Sequence, residues 1–351
     1  MSDYNHRLEQ LPAEITSTIA KIDELKGQWT GGAVLSPQVL GRLKKSVLVT
    51  STGASTRIEG AKLSDADVEK VMQGLNVKSF GERDTQEVKG YLELLNNVFD
   101  AWQTSKLSEN MIKHWHKELL KYVAKDEAHR GKYKKQENKV HAVDQATGKP
   151  VAVLFDTTSP YLTPKVMSEL VAWTNESLKN NKYHPLLIIG NFIVEFLKIH
   201  PFTDGNGRLS RVLTNFLLLQ TGYQYTPYVS HEKLVEDNKA DYYIALRRSQ
   251  KTMSTKKEDI TPWLNFFLEV VLEQSKMAVA LLSGEETEKL LTAKQRAVLA
   301  HLEKVSEASP GEIAKETGIA QPTVRQALDK LMKLKKVERQ GQGRSTTYRK
   351  L

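Results

Sequence analysis

His200-Pro201-Phe202-Thr203-Asp204-Gly205-Asn206-Gly207-Arg208-Leu209-Ser210-Arg211 packs a base, a carboxylate, a Gly-Asn-Gly turn and two arginines into twelve residues. The apolar run Leu186 to Ile199 precedes it and a second, Val212 to Leu219, follows, so the pattern predicts a loop held between two buried helices. Gly205-Asn206-Gly207 lets successive backbone N–H groups point into one concavity that opens onto a helix N-terminus, which is a seat for a phosphate. Arg208 and Arg211 lie three apart, share a helix face and can each fork onto further phosphate oxygens. Asp204 is an oxygen ligand suited to a Mg²⁺ that keeps most of its waters and bridges phosphate oxygens. His200 can take up a proton near neutral pH. Each residue alone has an ordinary structural role as turn, loop or surface residue. Their conjunction describes attack by a hydroxyl on a nucleotide phosphate, with charge stabilisation supplying most of the catalysis.

This stretch resembles the signature of the Fic-domain adenylyltransferases of the Fic/Doc superfamily, H-P-F-x-[DE]-G-N-G-R-x-x-R, and matches it at every fixed position from His200 to Arg211. The resemblance implies transfer of AMP from ATP to a Ser, Thr or Tyr hydroxyl of a target protein or of the chain itself. By the same resemblance His200 is the base and Asp204 the Mg²⁺ ligand. Asn206, with the amides of Gly205 and Gly207, forms the α-phosphate hole, and Arg208 and Arg211 take the β- and γ-phosphates. Phe202, an apolar side chain in a polar loop, is expected to anchor that loop in the core.

Upstream, Ser55 and Glu59 are four apart and so stack on one helix face, with Gly60 as a C-terminal cap. Spacing alone would make this a helix end carrying an exposed acid. Fic proteins with an N-terminal inhibitory helix carry [ST]-x-x-x-E-[GN], however, and Ser55, Glu59 and Gly60 fit it. That resemblance implies that Glu59 pairs with Arg211 and occupies the fork meant for the γ-phosphate.

Around these motifs, residues 1–105 have helical periodicity, through Ile15, Ile19, Ile22 and Leu25, then Val39 to Val49, and the stripe Val88, Tyr91, Leu92, Leu95, Val98 and Phe99. The inhibitory helix is expected near 51–60. Residues 106–282 form the core, with a flap at 131–156 and the catalytic loop at 200–211. In the helix predicted from Met111 to Val123, His114 and His116 are packing or surface residues, because i,i+2 spacing points them to different faces. Lys139 to Val143 and Val151 to Phe155 alternate as strands around a Gly/Pro-containing loop, which is a hairpin. In Fic proteins a flap at this position aligns the target peptide by strand addition. Asn238 to Leu246 resembles the family helix beside the nucleotide, which makes Tyr242 or Tyr243 the residue expected on adenine.

Residues 289–351 carry fourteen Lys/Arg against six Asp/Glu, a balance of +8 that nearly equals the net charge of +9 for the whole chain. The order of elements there is helix, Ser309-Pro310-Gly311-Glu312 opening a second helix through a capping box, a turn at Gly318, a third helix from Gln321, and two short strands. It resembles a winged helix-turn-helix, with Gln321, Thr323, Arg325 and Gln326 at the start of the recognition helix and Arg344 in the wing. DNA is one expected partner, and a protein-adaptor role is the alternative.

The chain has 351 residues, no cysteine, 40% hydrophobic residues, no apolar signal core and no run near the roughly 18 apolar residues of a membrane span. Disulfide scaffolds, thiol-ligated metals and membrane spans are thereby excluded, and a cytoplasmic protein is expected. The expected fold class is mainly α, a Fic helical core with a β-hairpin flap plus a C-terminal winged helix-turn-helix. The expected function is an autoinhibited protein adenylyltransferase using ATP and Mg²⁺, with a homodimer as its own-chain partner state. Removal of AMP by the same site and a nucleotide-sensing transcriptional regulator are the alternatives.

Overall fold

The computed structural model describes residues 4–32, 35–75, 82–143, 150–253, 255, 257–282, 291–334, 336–341 and 346–350. The chain divides into two compact units, Met1–Ala278 and Val279–Leu351. The expected linker around 283–288, the hairpin loop 144–149 and Arg344 lie outside the described residues.

At the centre of the first unit stands α7 (Pro185–Ile199), in which every residue from Leu186 to Leu197 is buried. A helix apolar on all sides needs neighbours on all sides. They include α6 (Thr163–Asn180) and α8 (Asn206–Gln220), the latter buried from Arg208 to Leu219. Pro164 sits at the first turn of α6 and Pro185 at that of α7, where the missing N–H costs nothing. The expected hairpin forms as β1 (Lys139–Val143) and β2 (Pro150–Asp156), antiparallel, with irregular register after Val140 and after Ala142.

On the N-terminal side, α1 (Ala13–Gly31) buries Ile15, Ile19 and Ile22. Val39 to Val49 and the Ser55 motif belong to a single helix, α2 (Pro37–Ile58), whose small residues Ser51 to Thr56 are all buried. A Cβ added at Gly53 would lie 2.5 Å from Asp65 Oδ1 and 2.6 Å from Arg57 Nη1, so this stretch is thin because neighbouring side chains cross it closely. Next come α3 (Asp65–Met72), α4 (Glu82–Ala101) and α5 (Glu109–Leu119). The stripe from Val88 to Phe99 on α4 is buried, as its period requires. Beyond α8 lie α9 (His231–Asp237), α10 (Lys239–Thr252) and α11 (Thr261–Leu282). Among the described residues no helix is long and apolar enough to cross a membrane.

The second unit comprises α12 (Ala293–Leu302), α13 (Pro310–Thr317), α14 (Gln321–Lys333) and the antiparallel pair β3 (Val337–Gln340) and β4 (Thr347–Lys350). The Ser309–Glu312 capping box forms as predicted, and Gly318 turns the chain at φ 67°. Tyr348 exchanges two backbone hydrogen bonds with Ala308 (2.9 and 3.0 Å), which adds a third extended segment to the wing. Leu291, Val298, Leu302, Ile313, Leu328 and Tyr348 belong to a separate core. This is a winged helix-turn-helix.

Candidate active site

Three helices converge on the motif, and the loop itself is short, because Asn206 to Arg211 already belong to the first turns of α8. His200 ends α7 in the left-handed region (φ 50°, ψ 60°), a place usually taken by glycine. Its amide still caps the helix on Phe196 O (2.9 Å), and its Nδ1 lies 3.2 Å from Leu197 O. A carbonyl can only accept, so Nδ1 carries the proton and Nε2 is left as the basic nitrogen. Burial, with the Lys134 charge adding to it, lowers the imidazole pKa to about 4, so the ring is neutral at pH 7.

Phe202 is fully buried, and the Asn206 side chain clamps its backbone from both ends. Asn206 Oδ1 accepts from Phe202 N (3.0 Å) and Asn206 Nδ2 donates to Phe202 O (2.8 Å). Asn206 thus spends its side chain on shaping the loop, and the groups it can offer an anion are the main-chain amides at the start of α8. Gly205 has φ 77°, and a Cβ there would come within 3.2 Å of Leu119. Only glycine suits that position.

His116 proves to be a strut of this loop. Its ring stacks on Phe202 (centroids 3.8 Å apart, 7° between planes), its Nδ1 accepts from Gly131 N (2.8 Å) and its Nε2 donates to Asp204 O (2.9 Å). Burial lowers its pKa to about 4, which keeps the neutral form that both bonds need. His114 is exposed, as the i,i+2 argument requires.

Asp204 accepts through Oδ2 from Arg83 Nη2 (2.9 Å) and Arg208 Nη2 (3.1 Å), and through Oδ1 from Gly205 N (2.7 Å). Burial raises its carboxyl pKa, but Arg208, the Gly205 N–H and Arg83 outweigh that and hold it below the usual carboxylate range. Arg208 also meets Glu87 Oε2 at 2.7 Å, and Glu87 Oε1 takes Arg83 Nε at 2.8 Å. Two cations thus gather at one carboxylate. Among the described residues no three His, Cys, Asp or Glu cluster as a protein cage for a metal. A lone ionised carboxylate that already attracts cations fits a Mg²⁺ bound mainly by water and phosphate oxygens.

Arg211, buried on α8, donates from Nε to Ser55 Oγ, and from Nη2 to Ser55 O and to Glu59 Oε1, each at 2.8 Å. Burial opposes its charge, yet Glu59, with Tyr242 and Tyr91 adding to it, outweighs that and the pKa is raised. The Glu59 carboxylate also covers the amide seat, since a Cβ built on Gly207 would lie 2.2 Å from Glu59 Oε1. Glu59 caps α2, followed by Gly60 at φ 103°. Arg57 fixes that helix end by forking onto Glu236 of α9 (2.5 and 3.0 Å) and reaching Asp65 (2.9 Å). Tyr243 Oη donates to Ile58 O (3.3 Å), whereas Tyr242 is buried among Trp263 and Phe266. Ser55, Glu59 and Arg211 are therefore brought together, with buried Tyr242 against Arg211 and Tyr243 at the end of α2 on Ile58 O. Arg83, Glu87 and Lys134 carry no signal of their roles in the sequence, because the groups of the site that they hold, Asp204, Arg208 and Ile199 O, lie far along the chain.

With this geometry, residues 106–218 match the Fic/DOC family and residues 291–345 match the MarR family. A Fido domain-containing protein of Dictyostelium discoideum is 36% identical over 67 residues, 19% of this chain and 47% of that one. The protein adenylyltransferase Fic of Drosophila mojavensis is 32% identical over 101 residues, 29% of this chain and 18% of that one. The chain thus spans under half the length of these relatives. The crystal structure of a Fic family protein from Desulfovibrio desulfuricans shares the fold, with a TM-score of 0.64 over 97% of each chain at 24% identity. Residues 106–218 are a Fic/DOC-family domain. The chain carries, in addition, a MarR-like winged helix-turn-helix at 291–345.

Proposed function

We propose that the protein transfers AMP from ATP to a hydroxyl of a protein substrate, and that Glu59 restrains this reaction. The carrying observation is the pairing of a neutral His200, its Nδ1 proton committed to Leu197 O, with an amide-and-arginine anion seat covered by Glu59. His200 Nε2 takes the proton as the substrate hydroxyl attacks the α-phosphorus. The new P–O bond replaces the bond to the β-phosphate oxygen, and pyrophosphate leaves. The first amides of α8 receive charge at the α-phosphate, and Arg208 and Arg211 that of the leaving phosphates. Asp204 would hold Mg²⁺, which when bound neutralises phosphate charge. Tyr243, beside Ile58, is the better placed of the two tyrosines to meet adenine.

Glu59 lies over the amide seat, so a second reading, hydrolytic release of AMP by the same site with Glu59 orienting water, has the same geometric support. The division of labour follows the three regions: 1–105 restrains, 106–282 reacts and 289–351 recruits. For that last region we propose DNA binding, with Gln321, Arg325 and Gln326 exposed at the start of α14. The deciding experiment is incubation with α-labelled ATP and Mg²⁺. Label is expected on protein in Glu59→Gly and none in Glu59→Gly/His200→Ala. Equal labelling of the two would remove His200 as base.

A further inference from the structure

Beside His200 lies a polar knot that the reaction chemistry does not use. Lys134 is 3% exposed, and its ammonium has three donors and three acceptors: Asn138 Oδ1 at 2.7 Å, Thr157 Oγ1 at 2.7 Å and Ile199 O at 3.0 Å. Its amide donates to Pro201 O at 2.8 Å. Asn138 Nδ2 reaches the two remaining carbonyls of the turn, His200 O at 3.3 Å and Phe202 O at 2.9 Å. Four consecutive carbonyls, from Ile199 to Phe202, are therefore held by two residues. Thr157 closes the knot, its hydroxyl lying 2.8 Å from Asn138 O and 2.5 Å from Asn138 Oδ1.

The two ends of this knot have a topological meaning. Asn138 immediately precedes β1 and Thr157 immediately follows β2, so they are the two roots of the hairpin. Tied to each other and to the carbonyls around His200, they make hairpin and base-bearing turn share one foundation. His200 also sits in a left-handed conformation that L-residues rarely adopt, so the surroundings must hold it there. Phe202 and Asn206 hold the turn from its α8 side. The knot holds it from the other side.

We propose that Lys134, with Asn138 and Thr157, is a positioning element that sets the register between the hairpin and the His200 base, so that a substrate strand docked on the hairpin delivers its hydroxyl to Nε2. The proposal rests on the AMP-transfer reading of His200. A two-stranded sheet leaves an outer edge on each strand to which an extended segment can add, and the hairpin is such a sheet. Edge pairing fixes where the added strand lies relative to the hairpin, and the knot fixes where the hairpin lies relative to His200. The phosphate seat, built on α8 and α2, does not include the knot. Cutting it should therefore impair turnover and spare nucleotide binding.

The test uses the full chain carrying Glu59→Gly as reference, with Lys134→Met and Thr157→Val to remove donors or hydroxyl at similar volume, and Thr157→Ser to restore the hydroxyl. Both disruptive variants are expected to lose roughly 100-fold in kcat for AMP transfer, the scale of an ångström-sized misplacement of reacting groups. ATP affinity by calorimetry should stay near the reference, and Thr157→Ser should retain most of the turnover. Hydrogen exchange in Lys134→Met should rise together at 136–159 and 199–206, with the winged helix unchanged. Reference turnover in both disruptive variants would overturn the proposal, as would ATP affinity falling in parallel with kcat. If the reference itself transfers no AMP, the AMP-transfer reading fails separately. Exchange then decides alone: joint loosening of the two segments upholds the mechanical link, and unchanged protection at 199–206 overturns it.

Discussion

Glu59 and Arg211, 152 residues apart in the chain, meet at 2.8 Å over the first turn of α8. The contact does two things at once. It gives a counterion to a guanidinium that would otherwise be buried without one, and it fills the proposed seat of an incoming phosphate with a carboxylate. The same interaction therefore stabilises the resting fold and opposes the reaction. The short tether of Gly60 and the Arg57–Glu236 fork keep the carboxylate over the seat.

Replacing Glu59 with Gly should raise ATP affinity and AMP transfer. A charge-assisted hydrogen bond is worth about 1.5–3 kcal/mol, so freeing Arg211 should strengthen triphosphate binding by a factor on the order of 10–100. Calorimetry and label transfer measure the two effects. Arg57→Ala, which leaves Glu59 present but loosens its helix end, should move both in the same direction by less. If Glu59 orients a hydrolytic water, release of AMP from modified protein should vanish in Glu59→Gly. Wild-type rates in both directions, in a folded variant, would reduce Glu59 to an ordinary surface acid.

Arg83 sets a second contest, at Asp204. Its guanidinium lies 2.9 Å from the carboxylate oxygen that is proposed to face a cation, and its side chain is about half exposed (51%), so it can swing away at little cost. Arg83→Ala should therefore tighten Mg²⁺ or Mn²⁺ binding by up to about fivefold, for the loss of one competing exposed ion pair of up to about 1 kcal/mol. Mn²⁺ titration followed by electron paramagnetic resonance reads this without nucleotide. Unaltered affinity would show that Arg83 merely decorates the rim.

The motif from His200 to Arg211 was legible because its chemistry is local in sequence, and the helices around it because burial imposes a period. The hairpin strands and the Ser309 capping box were legible for the same reason. What escaped was the scaffold of the loop. His116 looked like a packing residue because nothing near it in sequence names its partner, Asp204 O, 88 positions away. Lys134 has no apolar period or motif to mark it, and only the fold supplies the acceptors, among them Ile199 O, that make it a strut. Helix α9 was missed because its buried Glu232 belongs to a polar network, bonding Tyr91 at 2.8 Å and Asn215 at 2.6 Å, so it breaks the apolar period that marks a core helix.

Three histidines set the response to acid. His116, His200 and His231 are all lowered to about 4, chiefly by burial, from an ordinary value of 6.5. Between those values the unfolded chain binds protons that the folded chain refuses, so stability falls as pH drops from about 6.5 toward 4. The slope should approach three protons, each worth about 1.4 kcal/mol per pH unit, on top of the carboxylate contribution at lower pH. Urea midpoints between pH 7.5 and 4.5 measure it, and His231→Asn should remove about one proton from the slope. Activity of the Glu59→Gly protein should stay level from neutral pH down to about 5, because His200 remains an unprotonated base there. An acid limb centred near 6.5 would contradict a desolvated His200.

The winged helix offers a test that does not depend on the catalytic site. Its excess of positive charge, +8 over 289–351, is nearly the whole charge of the protein. Gln321, Arg325 and Gln326 lie exposed on the first turns of α14, while Val324, Ala327 and Leu328 face the core, so one helix separates a reading face from a packing face. If this unit binds duplex DNA, affinity should fall linearly on a log scale with salt, with a slope near −0.9 for each phosphate neutralised. Arg325→Ala should either reduce that slope by about one, as a phosphate contact does, or relax preference at one base position, as a base contact does. Fluorescence anisotropy with a random duplex pool at two salt concentrations distinguishes these outcomes. A unit that binds no duplex even at low salt, yet stays folded, would be an adaptor for protein partners.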